Sequence, residues 1–372
     1  MSEEPVRLLA DPSLDDGAEP THRRVAALLR DAERSVEIRM FVWRSDATGN
    51  RIAREVLAAA DRGVRIRILK DVGAFMYERI EMNRKSLFDR PASPWRRLTW
   101  RMVARNFPES FVEDGFDASL GDALLAHPNV SLEWVDHTHT KCWVFDERTV
   151  LLGSINLEDR HRGYRDYMAE IRGEEHVSRL RERADGRAPV DPDRPVEFVL
   201  NRRIGRRRVF EIKAEILQLL GGARRSAYLE MAYYGDPDVS RAIVDAARRG
   251  VEVTILFSRE ANVGNDLNYR TLHWIARRAG VHVVLSDRMV HAKLLMTDDE
   301  TVLMGSANLS IYSLRKAAEM DVRVRGLPGF LAAVREEAER RIRAGESADS
   351  PDRFARYGRV SSALQQLHQR LS

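Results

Sequence analysis

Two histidine–lysine pairs carry the chemistry that this sequence suggests. Each pair has the form H-x-K and opens a longer pattern, H-x-K-x4-D followed by G-S-x-N, which occurs over residues 139–156 and again over residues 291–308. Residues i and i+2 of a β-strand point to the same face of a sheet. We therefore expect each histidine to project beside its lysine. The two pairs are His139 with Lys141 and His291 with Lys293.

Two imidazoles and two ammonium groups in one cleft are sufficient for phosphodiester transfer without a metal ion. One histidine would attack phosphorus and form a covalent phosphohistidine. The other, protonated, would give a proton to the leaving oxygen and then take one from the incoming alcohol or water. The lysines would stabilise the negative charge on the non-bridging oxygens in the transition state. Histidine suits both tasks because its pKa lies near neutrality.

Other polar residues of the repeat are candidates for supporting roles. Each histidine needs an orienting partner on its second ring nitrogen, and Asp166 and Glu319 occupy equivalent positions after the two motifs. The motif serines and asparagines would add hydrogen-bond donors. The motif aspartates end their strands beside polar turns, which favours a turn-fixing role over direct chemistry. The candidate catalytic residues are His139, Lys141, Asp146, Asn156, Asp166, His291, Lys293, Asp298, Asn308 and Glu319, and the candidate substrate-binding residues are Ser154 and Ser306.

The sequence offers little to a metal ion. His137 and His139 could form a metal-binding pair, but no cysteine or suitably spaced carboxylate accompanies them, and the repeat has Arg288 or Met289 in place of His137. Cys142 is the only cysteine, which excludes intramolecular disulfides and Cys-based zinc sites and fits a reducing compartment. We expect Cys142 to be a small buried hydrophobic residue, and we expect no cofactor.

The two motifs belong to a duplication that spans most of the chain. Each copy begins with a strand, an amphipathic helix that ends at a glycine (Gly63 or Gly250), and a second strand. The motif segments then align with a one-residue difference, and a further strand follows in both copies. Order and register are kept throughout, so we interpret the repeat as a duplicated fold. The matched segments are 34–69 with 225–257, 130–156 with 281–308, and 166–173 with 319–326.

This order of elements predicts an α/β fold built from two repeated sandwich halves. Each half would hold a mixed sheet flanked by helices, and a pseudo-twofold axis would relate the halves. We place the first half at residues 1–190 and the second at residues 191–372, with a Pro/Asp/Arg-rich linker at 185–195. The first half carries an insertion at 75–127, and the second ends in a helical tail.

Composition and charge narrow the protein classes. The start of the chain is acidic and has no apolar stretch, so we expect no signal peptide. No stretch approaches 18 uncharged apolar residues, so we expect no membrane span. The formal net charge is only +4 while charged residues make up 32%, so the distribution of charge matters more than its total. These features predict a cytoplasmic protein that associates peripherally with a membrane, and they leave its oligomeric state open.

The duplicated pattern resembles that of the phospholipase D superfamily, and within it the chain is similar to bacterial cardiolipin synthases that lack transmembrane helices. The resemblance extends from about residue 34 to residue 326 and rests mainly on the two motifs. It implies a metal-independent phosphatidyl transfer through a phosphohistidine, with phosphatidylglycerol as the substrate. Family precedent favours His139 as the nucleophile and His291 as the general acid and base, while the sequence itself leaves the order of the two histidines open.

The walls of the cleft must distinguish a lipid from a nucleic acid. Residues 95–107, taken as a helix, carry arginines on one stripe and tryptophan and aliphatic residues opposite. This pattern is typical of an interfacial helix on anionic lipid, although an amphipathic helix packed over a core shows it too. The arginine-rich segment 202–208 suits lipid headgroups or a nucleic-acid backbone equally. We expect a phospholipid substrate at an anionic membrane surface, with a phosphodiester hydrolase, a phospholipase D or nuclease, as the alternative.

Overall fold

Two β-sheets, one from each half of the duplicated sequence, form the framework. The computed structural model describes residues 4–9, 19–74, 78, 86–88, 117–261 and 265–371. The helix predicted over residues 95–107 and most of the predicted insertion lie outside these residues.

The first sheet takes its strands from residues 6–172, in the order β1-β7-β6-β5-β2-β3-β4. Strands β2, β3 and β4 run parallel, and the other neighbours run antiparallel, so the sheet is mixed. The elements are β1 (Val6–Leu8), α1 (Glu19–Asp31), β2 (Ser35–Met40), α2 (Ala47–Asp61), β3 (Arg65–Asp71), α3 (Ala118–Ala126), β4 (Val130–Val135), β5 (Lys141–Phe145), β6 (Thr149–Gly153), a 3-10 turn (Asp159–Gly163), β7 (Met168–Arg172) and α4 (Glu174–Ala184).

The second sheet is also mixed, and its order is β16-β12-β11-β10-β13-β14-β15-β8-β9. Its elements are β8 (Val196–Ile204), β9 (Arg207–Phe210), α5 (Ile212–Gly222), β10 (Ser226–Met231), α6 (Pro237–Arg248), β11 (Glu252–Ser258), α7 (Asn265–Ala276), β12 (His282–Ser286), β13 (Lys293–Thr297), β14 (Thr301–Gly305), α8 (Ile311–Arg315), β15 (Glu319–Arg325), α9 (Pro328–Ala344), β16 (Glu346–Ser347), a 3-10 turn (Pro351–Phe354) and α10 (Arg359–Leu371).

Six strands in each sheet correspond one to one. The order β7-β6-β5-β2-β3-β4 in the first sheet matches β15-β14-β13-β10-β11-β12 in the second. In both, the motif strand (β5 or β13) lies at the centre and pairs antiparallel with the first strand of the repeat. The predicted α/β fold of two repeated halves is confirmed.

Local sequence signals set the first helix of each repeat. The Asp46 side chain caps α2 by accepting a hydrogen bond from the Gly49 N–H, and Asp236 caps α6 in the same way. Gly63 and Gly250 follow the helix ends with φ of 94° and 91°. Nothing lies within 4 Å of a Cβ built on either glycine, so the left-handed backbone rather than crowding requires the residue.

The two sheets pack face to face, and helices cover their outer faces. Alternate residues of β5 show the arrangement: Cys142 and Val144 enter a core between the sheets, while Trp143 and Phe145 pack towards α1 and α2. Leu294 of β13 joins the same central core, and α5, α6 and α7 cover the second sheet. Cys142 is buried, as expected. The sandwich therefore holds both motif strands on facing sheets.

Candidate active site

The two motifs meet where the halves join, through a pair of equivalent backbone contacts. The His139 N–H donates to the Ala318 carbonyl over 2.8 Å, and the His291 N–H donates to the Arg165 carbonyl over the same distance. Each motif histidine thus bonds to the residue just before the predicted orienting carboxylate of the other half: Ala318 precedes Glu319, and Arg165 precedes Asp166. This exchange brings both motifs into one site.

Each histidine is hydrogen-bonded to a carboxylate of the opposite half. Nδ1 of His139 lies 3.1 Å from Oε1 of Glu319, and Nδ1 of His291 lies 2.9 Å from Oδ1 of Asp166. His139 Nδ1 also lies 3.1 Å from the Ser306 carbonyl of the second motif. A carboxylate on Nδ1 fixes the ring and the tautomer and leaves Nε2 for the reaction. The sequence did not indicate which carboxylate serves which histidine.

The motif serines hold these carboxylates instead of facing the cleft. Ser154 Oγ donates to Asp166 over 2.6 Å, and Ser306 Oγ donates to Glu319 over 2.5 Å. Both hydroxyls also accept a backbone N–H, from Tyr167 and Met320, and both side chains are buried. Their hydrogen-bonding capacity is thus used within the protein, which argues against the substrate-binding role that we expected for Ser154 and Ser306.

The glycine before each serine permits this arrangement. A Cβ on Gly153 would lie 2.2 Å from the Tyr167 carbonyl oxygen, and one on Gly305 would lie 2.3 Å from the Met320 carbonyl oxygen. Any side chain would therefore push away the chain segment that carries the carboxylate. The glycine of each G-S pair therefore allows the backbone at Tyr167 or Met320 to approach the motif strand closely.

Both motif lysines are buried beside their histidines. Lys141 Nζ donates to the His139 carbonyl over 2.7 Å; Lys293 Nζ donates to the His291 carbonyl and lies 3.1 Å from His291 Nε2. Burial lowers the pKa of Lys293 to about 8, and burial together with the charge of Lys293 lowers the pKa of Lys141. A bound phosphate would offset this loss of hydration, because it supplies negative charge at the ammonium groups.

Burial also favours the neutral form of both motif imidazoles. It lowers the pKa of His139 to about 4, with Lys141 acting in the same direction and Glu319 opposing it. It lowers the pKa of His291 well below its usual value, with Lys293 adding to the effect and Asp166 opposing it. A neutral imidazole is the form that can attack phosphorus. An anionic phosphodiester would in turn favour protonation of the second imidazole.

A third histidine breaks the symmetry of the site. His161 is buried; its Nδ1 lies 2.7 Å from Oδ2 of Asp166, and its ring centroid is 4.6 Å from that of His291. Burial lowers the pKa of His161, but Asp166 and Glu158 outweigh it and raise the pKa overall. Sequence reasoning missed this residue. The available signal was its position five residues after Asn156, where the second half has Ser313 after Asn308.

Within the described residues, one group of side chains has the composition and spacing of a metal site. One donor atom from each of His161, Asp166 and His291 lies within 4.8 Å of the others, a set that could hold a metal ion. Here the donors are engaged with one another through hydrogen bonds. His137, the residue that could have paired with His139 on a metal, has φ of 56° and lies with Nδ1 3.4 Å from the Tyr312 hydroxyl.

The motif asparagines lie at the site but differ in their contacts. Asn156 Oδ1 accepts the Val42 N–H over 3.3 Å, and its Nδ2 lies 3.2 Å from Nε2 of His161. Oδ1 of Asn308 is buried and has no hydrogen-bond partner among the described residues. A buried acceptor without a partner is costly, and this distinguishes Asn308 from Asn156.

The motif aspartates do not join this cluster. The Asp146 carboxylate accepts backbone N–H groups of residues 33–35, and Asp298 accepts those of residues 224–226. Both have positive φ, 52° and 56°. Burial would raise the pKa of each carboxyl group, but these N–H groups lower it overall. This geometry supports the turn-fixing role over direct chemistry for both aspartates.

A buried network supports the Asp166 segment from the second half. Arg341 of α9 donates to the Asp166 carbonyl over 2.8 Å and forms an ion pair with Glu230 of β10. The Tyr167 hydroxyl donates to Glu230 over 2.8 Å. Sequence reasoning did not single out these residues, because each one alone looks like an ordinary surface-type polar residue.

Comparison with known proteins identifies this arrangement. The family described as "Cardiolipin synthase, PLD-like domain" matches residues 25–186 and 216–342, which include both motifs and both carboxylates. The chain belongs to this family. The match covers most of the chain, and it confirms the resemblance to the phospholipase D superfamily.

Individual members of the family are distant in sequence. The cardiolipin synthase of Alkalihalophilus pseudofirmus is 23% identical over 349 residues, which cover 83% of this chain and 61% of that protein. The major cardiolipin synthase ClsA of Bacillus subtilis is 21% identical over 338 residues, which cover 83% of this chain and 64% of that protein. The chain therefore spans less than two thirds of the length of these relatives.

Solved structures share the fold. The phosphatidylserine synthase of Haemophilus influenzae superposes with a TM-score of 0.68 at 14% identity, over 100% of this chain and 94% of that one. The polyphosphate kinase of Porphyromonas gingivalis gives a TM-score of 0.51 at 13% identity, over 90% of this chain and 50% of that one. No helix in the described ranges is long and apolar enough to cross a membrane.

Proposed function

We propose that this protein is a cardiolipin synthase-like phosphatidyltransferase that acts on phospholipid phosphodiesters through a phosphohistidine and needs no metal ion. The exchange of carboxylates between the halves carries the proposal. It fixes two imidazoles by their Nδ1 atoms, His139 on Glu319 and His291 on Asp166, within one site. Family membership and the names of the relatives support a phospholipid substrate, and phosphatidylglycerol is the proposed donor.

His139 is the proposed nucleophile. Its Nδ1–H is held by Glu319, and its Nε2 has no hydrogen-bond partner among the residues that the structure describes. Nε2 of His291 instead lies 3.1 Å from the Lys293 ammonium group. An unengaged lone pair is the better nucleophile, because no hydrogen bond must be broken before attack.

In the first step, the bond between His139 Nε2 and phosphorus forms while the bond from phosphorus to the leaving alkoxide breaks. Protonated His291 gives its Nε2 proton to that alkoxide, so a neutral alcohol leaves. The buried ammonium groups of Lys141 and Lys293 stabilise the charge that develops on the non-bridging oxygens. Their burial strengthens this effect, because little water competes for the charge.

In the second step, an acceptor alcohol replaces the first. Neutral His291 takes the hydroxyl proton, the acceptor oxygen attacks phosphorus, and the bond from His139 Nε2 to phosphorus breaks. With a second phosphatidylglycerol as the acceptor the product is cardiolipin and the first alcohol released is glycerol. With water as the acceptor the same site is a hydrolase, which is the alternative function.

Product analysis tests the proposal. Protein incubated with phosphatidylglycerol vesicles should yield cardiolipin and glycerol by mass spectrometry, and EDTA should leave the rate unchanged. His139→Ala and His291→Ala should each reduce turnover by roughly a thousandfold or more, whereas His176→Ala, at a buried histidine on α4 outside the cluster, should not. Cleavage of DNA without any lipid product, or loss of activity on chelation, would refute the proposal.

A further inference from the structure

Exposed apolar side chains concentrate on the last helix. Val360, Leu364 and Leu367 of α10 are 74%, 61% and 49% exposed. The described residues contain one other exposed large hydrophobic side chain, Leu125 on α3, at 44%. The three residues of α10 are spaced i, i+4 and i+7, so they form one stripe along the helix. Ala363 is exposed beside them.

The helix is docked with its polar side towards the protein. Gln365 Oε1 accepts the Leu267 N–H of α7 over 2.9 Å, and Gln369 Oε1 accepts the Ile311 N–H of α8 over 3.2 Å. Ser362 is fully buried on the same side. A helix on a protein surface normally turns its apolar stripe inward. The reversed docking of α10 therefore leaves a surface that is ready for an apolar environment.

An arginine-lined cleft of about 830 Å³ lies beside this helix, with Gln366 of α10 in one wall. Four arginines line the cleft, and its lining contains no aspartate or glutamate. Arg278 stacks over the Trp274 ring at 4.2 Å, while Arg270 and Arg277 have no carboxylate partner in the described part of the chain. Guanidinium groups without carboxylate partners are suited to phosphate.

We infer that α10 and this cleft form one docking surface for an anionic phospholipid bilayer. The stripe would enter the interface between headgroups and acyl chains, and the arginines would meet lipid phosphates. The choice of a bilayer rests on the proposed action on phospholipids. A second copy of the chain suits the surface less well, because a twofold contact sets a surface against itself and would bring the arginine clefts together.

Helix α10 is also connected to the candidate site through α8. α10 packs on α8, which directly follows the second motif, and Tyr312 of α8 lies 3.4 Å from His137, two residues before His139. A bilayer on α10 would thus lie close to the chain that forms the wall of the active site.

Vesicle flotation with paired variants tests the inference. Leu364→Ser with Leu367→Ser should reduce binding to phosphatidylcholine–phosphatidylglycerol vesicles roughly a hundredfold, about tenfold for each leucine withdrawn from the interface. Arg270→Ala with Arg277→Ala should reduce binding severalfold, and only to vesicles that contain phosphatidylglycerol. Leu125→Ser and Arg65→Ala, exposed residues of the first half, are the matched controls and should bind like the parent protein.

Turnover of a short-chain phosphatidylglycerol in free solution should be unchanged in all four variants. A parent protein that binds vesicles through α10 but transforms no lipid would refute the proposed function and leave the docking surface standing. Unchanged vesicle binding in the leucine variant would overturn the docking inference. So would a dimer, seen by sedimentation, that only this variant dissociates.

Discussion

Replacing His161 with asparagine should raise the pH at which activity is lost on the alkaline side. Asp166 is shared between two imidazoles, with His161 at 2.7 Å and His291 at 2.9 Å. The raised pKa of His161 favours its cationic form, and the charge of that form is one of the causes that lower the pKa of His291, after burial and Lys293. Asparagine keeps a hydrogen-bond donor towards Asp166 but has no charge. His291 should then hold its proton to a higher pH.

The size of this shift follows from the separation of the rings. Two unit charges at the 4.6 Å between the ring centroids of His161 and His291 interact by about 3.6 kcal/mol at an effective dielectric constant of about 20. This corresponds to roughly 2.6 pKa units. The Asp166 carboxylate between them offsets part of the repulsion, so we expect an upward shift of roughly 1–2 units.

The assay is the pH dependence of kcat/KM with a short-chain phosphatidylglycerol. The alkaline limb reports the proton on His291, and the acid limb reports His139. The main causes that shift the pKa of His139 are burial, Lys141, Glu319 and Lys293, so the acid limb should stay in place when His161 is replaced. His176→Asn, which lies outside the site, should move neither limb. An alkaline limb that stays fixed or moves down would refute the reasoning, and a shift of the acid limb alone would exchange the roles of the two motif histidines.

Two further substitutions test structural roles. Asp298→Ala removes the acceptor of three backbone N–H groups and should lower the free energy of unfolding, measured by urea titration, by about 1–3 kcal/mol. Asp298→Asn keeps an acceptor and should lower it less, and kcat should not change in either variant. A loss of kcat would instead support a catalytic role for Asp298. Burial, aided by the charge of Glu319, raises the pKa of Asp321 to about 8, so the folded protein keeps a proton that the unfolded chain has lost, and stability falls as the pH rises from about 4 to about 8. Asp321→Asn should therefore flatten this decline and gain about 1–2 kcal/mol at pH 8, and parallel profiles of melting temperature against pH would contradict this.

The sequence allowed the fold and the two histidine–lysine pairs of the candidate site to be predicted, because the pattern occurs twice in the chain. The match between the segments around Gly63 and Gly250 predicted the same succession of strand, helix and strand along the chain in both halves. Equivalent positions in the repeat also drew attention to Asp166 and Glu319, which both lie on motif histidines. A residue that recurs at the same position in both copies is seldom there by chance, and this recurrence made the short motifs informative.

The duplication could not reveal the contacts between the two halves or the residues that occur in only one of them. The pairing of His139 with Glu319 depends on how the sheets face each other, and a one-dimensional repeat does not encode that. His161 has no counterpart in the second half, so the comparison of copies passed over it. The environment of the serines could not be read from the sequence either: Gly153 and Gly305 let the segments that carry the carboxylates approach the two hydroxyls closely.

The proposed membrane-docking surface lies on a different helix from the one that the sequence suggested. Apolar periodicity identifies an amphipathic helix but does not say whether its apolar stripe faces the protein or a lipid surface, so the pattern of residues 95–107 suits both. For α10 the structure removes this ambiguity, since Gln365 and Gln369 hold the polar side against α7 and α8. Only the stripe of Val360, Leu364 and Leu367 is left for another partner. A sequence pattern alone cannot tell whether the apolar stripe of a helix faces the protein or faces away from it. The answer depends on which side of the helix finds hydrogen-bond partners on the neighbouring elements.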